Sequence, residues 1–112
     1  MDRWVARRAS DEERQRAREV AQAVLDGRTT VLEAAKELFP LAHTDAITNE
    51  DDRRLMIAIQ SETDHLPIGG VRKLWAPDAL QRKEPEIAGA EALWKAEFLE
   101  ACKRIADTVE NS

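Results

Sequence analysis

Thr48-Asn49-Glu50-Asp51-Asp52-Arg53-Arg54-Leu55-Met56-Ile57-Ala58-Ile59 is the stretch on which the fold turns. Five consecutive apolar residues, 55–59, leave no face for solvent, so the segment is either a central helix buried on most sides or a buried strand. Glu50, Asp51 and Asp52 load the preceding turn with negative charge, which suits the positive end of a helix dipole and does nothing for a strand. No β-branched run leads into the segment. The chain has four Gly, four Pro and no Tyr, against the composition of a sheet. The helix is the reading.

Working outward, the same logic marks other helices. Ser10 followed by Glu13 has the spacing of a capping box, and Ala17, Val20, Ala21 and Val24 recur at helical intervals before Gly27. Residues 3–9 are predicted to extend this helix backward, with Trp4 packed on a neighbour. Thr30-Val31-Leu32-Glu33 is a second capping box, opening a short helix with Leu32, Ala35, Leu38 and Phe39 on one face and Pro40 as its stop. The two should pack as an antiparallel hairpin. Residues 40–48 read as a connection. After Ile59 comes the longest break, an ordered irregular loop at about 61–76 in which Val71, Leu74 and Trp75 form one apolar turn. Pro77 is placed to begin a short helix through Arg82. Pro85 is predicted to divide it from a final helix, Glu86 to about Val109, some 35 Å long at 1.5 Å per residue. Ile87, Trp94, Phe98, Cys102, Ile105 and Val109 form its apolar stripe, with charges expected on the opposite side. The expected architecture is all-α, a compact bundle of four or five helices forming one domain over residues 1–112.

Composition narrows the function classes. The chain is 43% hydrophobic and 35% charged with a formal net charge of −5, which disfavours phosphate backbones and anionic lipid surfaces as partners. Residues 1–18 hold six arginines against four acids, read as a solvated helix face ahead of a nucleic-acid arm. The single Cys102 cannot form an internal disulfide and falls on an apolar stripe, so it reads as core in a reducing compartment. Met1-Asp2-Arg3-Trp4 lacks the apolar core of a secretory leader, and no stretch approaches the length of a membrane span. A cytoplasmic location is expected.

The loop holds the candidate site residues: Glu62, Asp64, His65, Arg72 and Trp75. Glu62 and Asp64 sit at the negative end of the helix dipole, where Lys or Arg is favoured. The first reading is a structural clamp, in which one of these acids pairs with Arg72 across the Gly69-Gly70 turn. The second makes Glu62, Asp64, His65 and Arg72 the wall of a pocket suited to general acid–base work or to ligand binding. His43 and Asp45 with Asp64 and His65 could supply metal ligands, but neither pair has a recognised spacing, and no metal or other cofactor is expected. Ser61 and Cys102 lack the surroundings of a nucleophile, so no catalytic residue is assigned. Of the three tryptophans, Trp94 reads as core, whereas Trp4 and Trp75 are candidate interface anchors for which packing remains the leading role.

Ser61-Glu62-Thr63-Asp64-His65-Leu66-Pro67, followed by Gly69, Arg72 and Trp75, resembles a motif of small uncharacterised bacterial proteins that pair it with a charged C-terminal helix. The resemblance covers roughly residues 20–106. It implies that the loop is a family feature and carries over no activity. The expected function is a non-enzymatic bacterial protein-binding module, regulatory or immunity-type, acting on another protein through acidic steering. The alternative is a small enzyme or ligand-binding domain with its pocket at residues 61–75.

Overall fold

The computed structural model describes residues 7–108. They form four α-helices, α1 (Asp11–Leu25), α2 (Val31–Leu38), α3 (Glu50–Thr63) and α4 (Pro77–Thr108), with 3-10 helices at Pro40–His43 and Gly69–Leu74. No helix among the described residues is long and apolar enough to cross a membrane. The chain is all-α, as the patterning predicts.

Each α-helix before α4 begins at a side-chain cap. Ser10 and Glu13 form the complete capping box at the head of α1, and Asn49 accepts from the Asp52 amide at the head of α3. At α2, Thr30 accepts from the Glu33 amide, but the Glu33 carboxylate receives the Thr29 hydroxyl at 3.4 Å. The amides of Val31 and Leu32 are capped from elsewhere: both donate to the Glu91 carboxylate of α4, at 3.1 and 2.7 Å. A helix of eight residues is too short to persist alone, so this anion at its positive end fixes where α2 starts. Arg16 in the first half of α1 pairs with Glu37 near the end of α2, as an antiparallel hairpin requires.

Three expectations are corrected. Arg7 to Ala9 do not continue α1 backward. Arg7 makes a parallel β-bridge to Thr44, its amide donating to the His43 carbonyl and its carbonyl accepting from the Asp45 amide, while Asp45 receives the Ala9 amide. Trp4 lies outside the described residues, as does Val109. The segment Leu55–Ile59 is helical but is not buried on most sides: only Met56 and Ile59 are buried, in one stripe that runs Asp52, Met56, Ile59, Thr63 at intervals of four and three. Leu55, Ile57 and Ala58 are half-buried. Third, Pro85 does not divide the C-terminal region. Pro77 to Thr108 is one helix of 32 residues, about 48 Å at 1.5 Å per residue. Proline removes one hydrogen bond, to the carbonyl of Gln81, and both residues are exposed, so water can serve that carbonyl.

α4 packs most extensively against α1. Phe98, Ala101, Cys102 and Ile105 of α4 join Ala17, Val20 and Ala21 of α1, Leu32 and Leu38 of α2, and Met56 and Ile59 of α3 in one apolar core. Burial pushes the Cys102 thiol up to about 12, so the neutral thiol packs as a small apolar group.

Candidate functional site

The break expected from Ser61 begins only after Thr63, because Ser61, Glu62 and Thr63 form the last turn of α3; what remains has an inner and an outer half. In the inner half, Leu66, Pro67 and Ile68 are consecutive and buried, driven into the core where no helix supplies a side chain. The Lys36 ammonium of α2 donates to the Ile68 carbonyl at 2.8 Å, satisfying a backbone acceptor that the turn leaves unpaired. Gly69 then takes φ +73°, a left-handed conformation that a Cβ would strain, and reverses the chain outward. The outer half is the 3-10 helix Gly69–Leu74, in which no residue is buried.

That helix shows its apolar residues to solvent. Leu74 is 84% exposed and Val71 is 37% exposed, while Trp75 is half-buried at its end. The turn is nonetheless held firmly. Arg72 donates to the Glu84 carboxylate of α4 at 2.7 Å and lies 3.5 Å from the Pro67 carbonyl. His65 Nε2 lies 2.6 Å from Glu86 Oε2, and Lys83 reaches the other oxygen of Glu86 at 3.3 Å. These two partners hold Glu86 below the ordinary carboxylate range, the His65 hydrogen bond first. Glu84 and Glu86 flank Pro85, so the loop braces α4 on both sides of its missing hydrogen bond.

The five residues singled out from sequence therefore separate. Arg72 and His65 both engage α4, and Trp75 closes the 3-10 helix. Glu62 and Asp64 do not join them: each is exposed, and neither has an ion-pair partner among the described residues. The predicted clamp between these acids and Arg72 is corrected to one between Arg72 and Glu84. Twelve residues along the chain, Glu84 is the carboxylate that the Gly69 turn brings within reach. The predicted pocket wall is not assembled either. The cleft at this loop, lined by Leu32, Lys36, Gln60, Asp64 and Ile68 among others, holds about 30 Å³, against the several hundred that a ligand site requires.

The metal candidates are likewise dispersed. His43 stacks edge-on against Phe39, Asp45 receives Ala9 and Arg14, and no group of three or more potential ligands gathers among the described residues. Three of the five described N-terminal arginines are ion-paired: Arg7 with Glu13, Arg14 with Asp45 and Arg16 with Glu37.

Two interacting carboxylates went unrecognised in the sequence. Asp52, only 1% exposed, accepts from Arg104 Nε at 3.0 and 3.2 Å and from its terminal nitrogen at 2.6 Å, joining α3 to α4 by a two-pronged ion pair. Its signal was its place four residues before Met56, on the buried stripe. Glu91, the cap of α2, falls four residues after Ile87 and three before Trp94, on the inner side of α4.

A scan against protein-family models finds no match, and searches of curated proteins and of solved structures find none either.

Proposed function

We propose that this chain is a non-enzymatic protein-binding module, of a regulatory or immunity-type bacterial kind, that docks its partner on the Gly69–Leu74 turn. One observation carries the reading: a leucine 84% exposed on a turn that is tied down at its entry, through Ile68, and at its middle, through Arg72. A large apolar side chain in water is costly to leave uncovered, and a rigid presentation lowers the ordering cost of covering it. Hydrophobic anchors held in a fixed geometry are what interface centres use.

The local charge defines the partner further. Residues 69–83 hold Arg72, Lys73, Arg82 and Lys83 against the single acid Asp78, a basic patch in a chain of net charge −5. Arg72 and Lys83 are committed to Glu84 and Glu86, which leaves the exposed Lys73, next to Leu74, as the cation presented to the partner. The complementary surface is apolar at its centre with acidic flanks, so the steering operates through this patch and not through the acidic bulk of the chain. The alternative, an enzyme or ligand-binding domain at residues 61–75, has too small a cleft to recommend it.

The test is affinity capture from the native cell with the wild-type chain, Leu74→Asp and Glu62→Gln. The expected result is a stoichiometric partner recovered by the wild type and by E62Q and lost by L74D, with the melting temperature of L74D unchanged. Retention of that partner by L74D, or failure of the wild type to recover one, would overturn the reading.

A further inference from the structure

The face of α4 opposite the core is uncharged where a solvated helix normally carries charge. Ile87, Trp94, Phe98 and Ile105 point inward, but Pro85, Ala88, Gly89, Ala92, Leu93 and Ala96 are all exposed, with Leu93 at 71%. The expectation of charges along that side fails for three turns, in a chain that is 35% charged. Within the described residues the six are exposed, and only Leu99, at the margin of this face, is half-buried against the core; the Gly69–Leu74 turn contacts α4 through Arg72 and Glu84.

The face also has an order. Starting at Arg82, the positions Pro85, Gly89, Ala92, Ala96 and Leu99 advance by alternating steps of three and four, the 3.5-residue period of a helix–helix seam. Such an alternation reads the same in reverse, so the seam can pair with itself when two copies run antiparallel. Gly89 then faces Ala92 of the second copy, Pro85 faces Ala96, and Arg82 faces Leu99 with Glu100 beside it. One step further out, Asp78 faces Lys103. Small residues at the centre let two helix axes approach to about 8 Å.

The charges at the ends of the seam select this arrangement. A parallel pair would set Asp78 on Asp78, Arg82 on Arg82 and Lys103 on Lys103. An antiparallel pair displaced by one heptad would keep the small residues in register but carry Asp78 away from Lys103. Only the antiparallel register described brings opposite charges together at both ends, twice over by symmetry. We propose that a second copy of this chain covers the outer face of α4, forming an antiparallel dimer across the Pro85–Leu99 seam.

Sedimentation equilibrium and light scattering on the full chain test this. The expected mass rises with concentration from 12.7 kDa to twice that value. Ala92→Glu, on an exposed helix position that tolerates glutamate, is expected to abolish the dimer while its circular dichroism matches the wild type. Asp78→Lys is expected to weaken association roughly tenfold by setting two lysines against each other. The double exchange Asp78→Lys with Lys103→Asp is expected to restore it, because the pair is re-formed between copies. A parallel dimer would gain nothing from that exchange, so failure of the rescue overturns the register. A wild-type chain that stays monomeric throughout leaves the face to some other protein and overturns the proposal, as does a dimer that A92E does not disturb.

Discussion

Removing the Glu91 carboxylate isolates the contribution of one helix cap supplied from another element. The carboxylate accepts the Val31 and Leu32 amides, and Thr30 takes the Glu33 amide, so the first three donors of α2 are all engaged. Glu91→Ala deletes two hydrogen bonds to a charged acceptor and the attraction of that charge for the positive end of α2. Hydrogen bonds to charged groups contribute about 1.5–3 kcal/mol, but side-chain caps when deleted usually cost about 0.5–2 kcal/mol because water replaces part of what is lost. Val31 and Leu32 are buried residues, which limits that replacement and places the expected cost near the upper end, about 2 kcal/mol. For a chain of this size that corresponds to a fall in melting temperature of about 8 °C. Glu91→Gln keeps one carbonyl oxygen without the charge and is expected to lose about half as much. Urea unfolding followed by circular dichroism gives both values, with an unchanged slope confirming that compactness is unaltered. An E91A protein within about 0.5 kcal/mol of wild type would refute the argument that α2 depends on α4 for its start.

Other perturbations follow the same reasoning. Arg104→Ala leaves the Asp52 carboxylate buried without its two-pronged donor; because Arg104 is itself half-exposed and water can enter, the expected cost is about 2 kcal/mol, below the full penalty of a buried broken pair, read from the urea midpoint. Glu62→Gln and Asp64→Asn are expected to fall within about 0.5 kcal/mol of wild type, since Arg72 is committed to Glu84. Arg72→Ala and Glu84→Ala are expected to cost up to about 1 kcal/mol each and, combined, about as much as either alone in a double-mutant cycle. The Arg7 guanidinium and the Ser10 amide hold the Glu13 carboxyl at about 2, below its ordinary value of 4.5. Its folded-state value is the depressed one, so its stabilisation is complete above pH 4.5 and is lost as the pH falls toward 2. Glu13→Gln is expected to flatten the urea midpoint against pH across that window, and an unchanged slope in the variant would contradict the assignment.

Much of the fold was legible because helix starts depend on local chemistry. Ser10 with Glu13, Thr30 with Glu33, and the run from Asn49 to Asp52 each set a cap within four residues, where sequence neighbours are spatial neighbours. The errors fall where partners are distant. Sequence proximity points Arg72 at Glu62 and Asp64, whereas the chain reversal at Gly69 presents it to Glu84. Arg7 reads as helix in the sequence because its backbone partners, His43 and Asp45, lie more than thirty residues away. Pro85 usually signals a break, but on the solvent side of a long helix its missing donor leaves only one exposed carbonyl to water. Of the site, sequence located the loop and named Arg72 and His65, which engage α4. It missed how Leu66, Pro67 and Ile68 go inside while Leu74 stays out, because a run of apolar residues in a turn carries no period from which direction can be read.

A photo-reactive benzophenone residue introduced separately at positions 74 and 62 in the native cell gives the most direct test of the docking account. Illumination is expected to yield one covalent adduct of defined mass from position 74 and none from position 62. An absence of adduct at 74, or the same adduct from both positions, would contradict the claim that the pinned turn ending at Leu74 is where a partner protein sits.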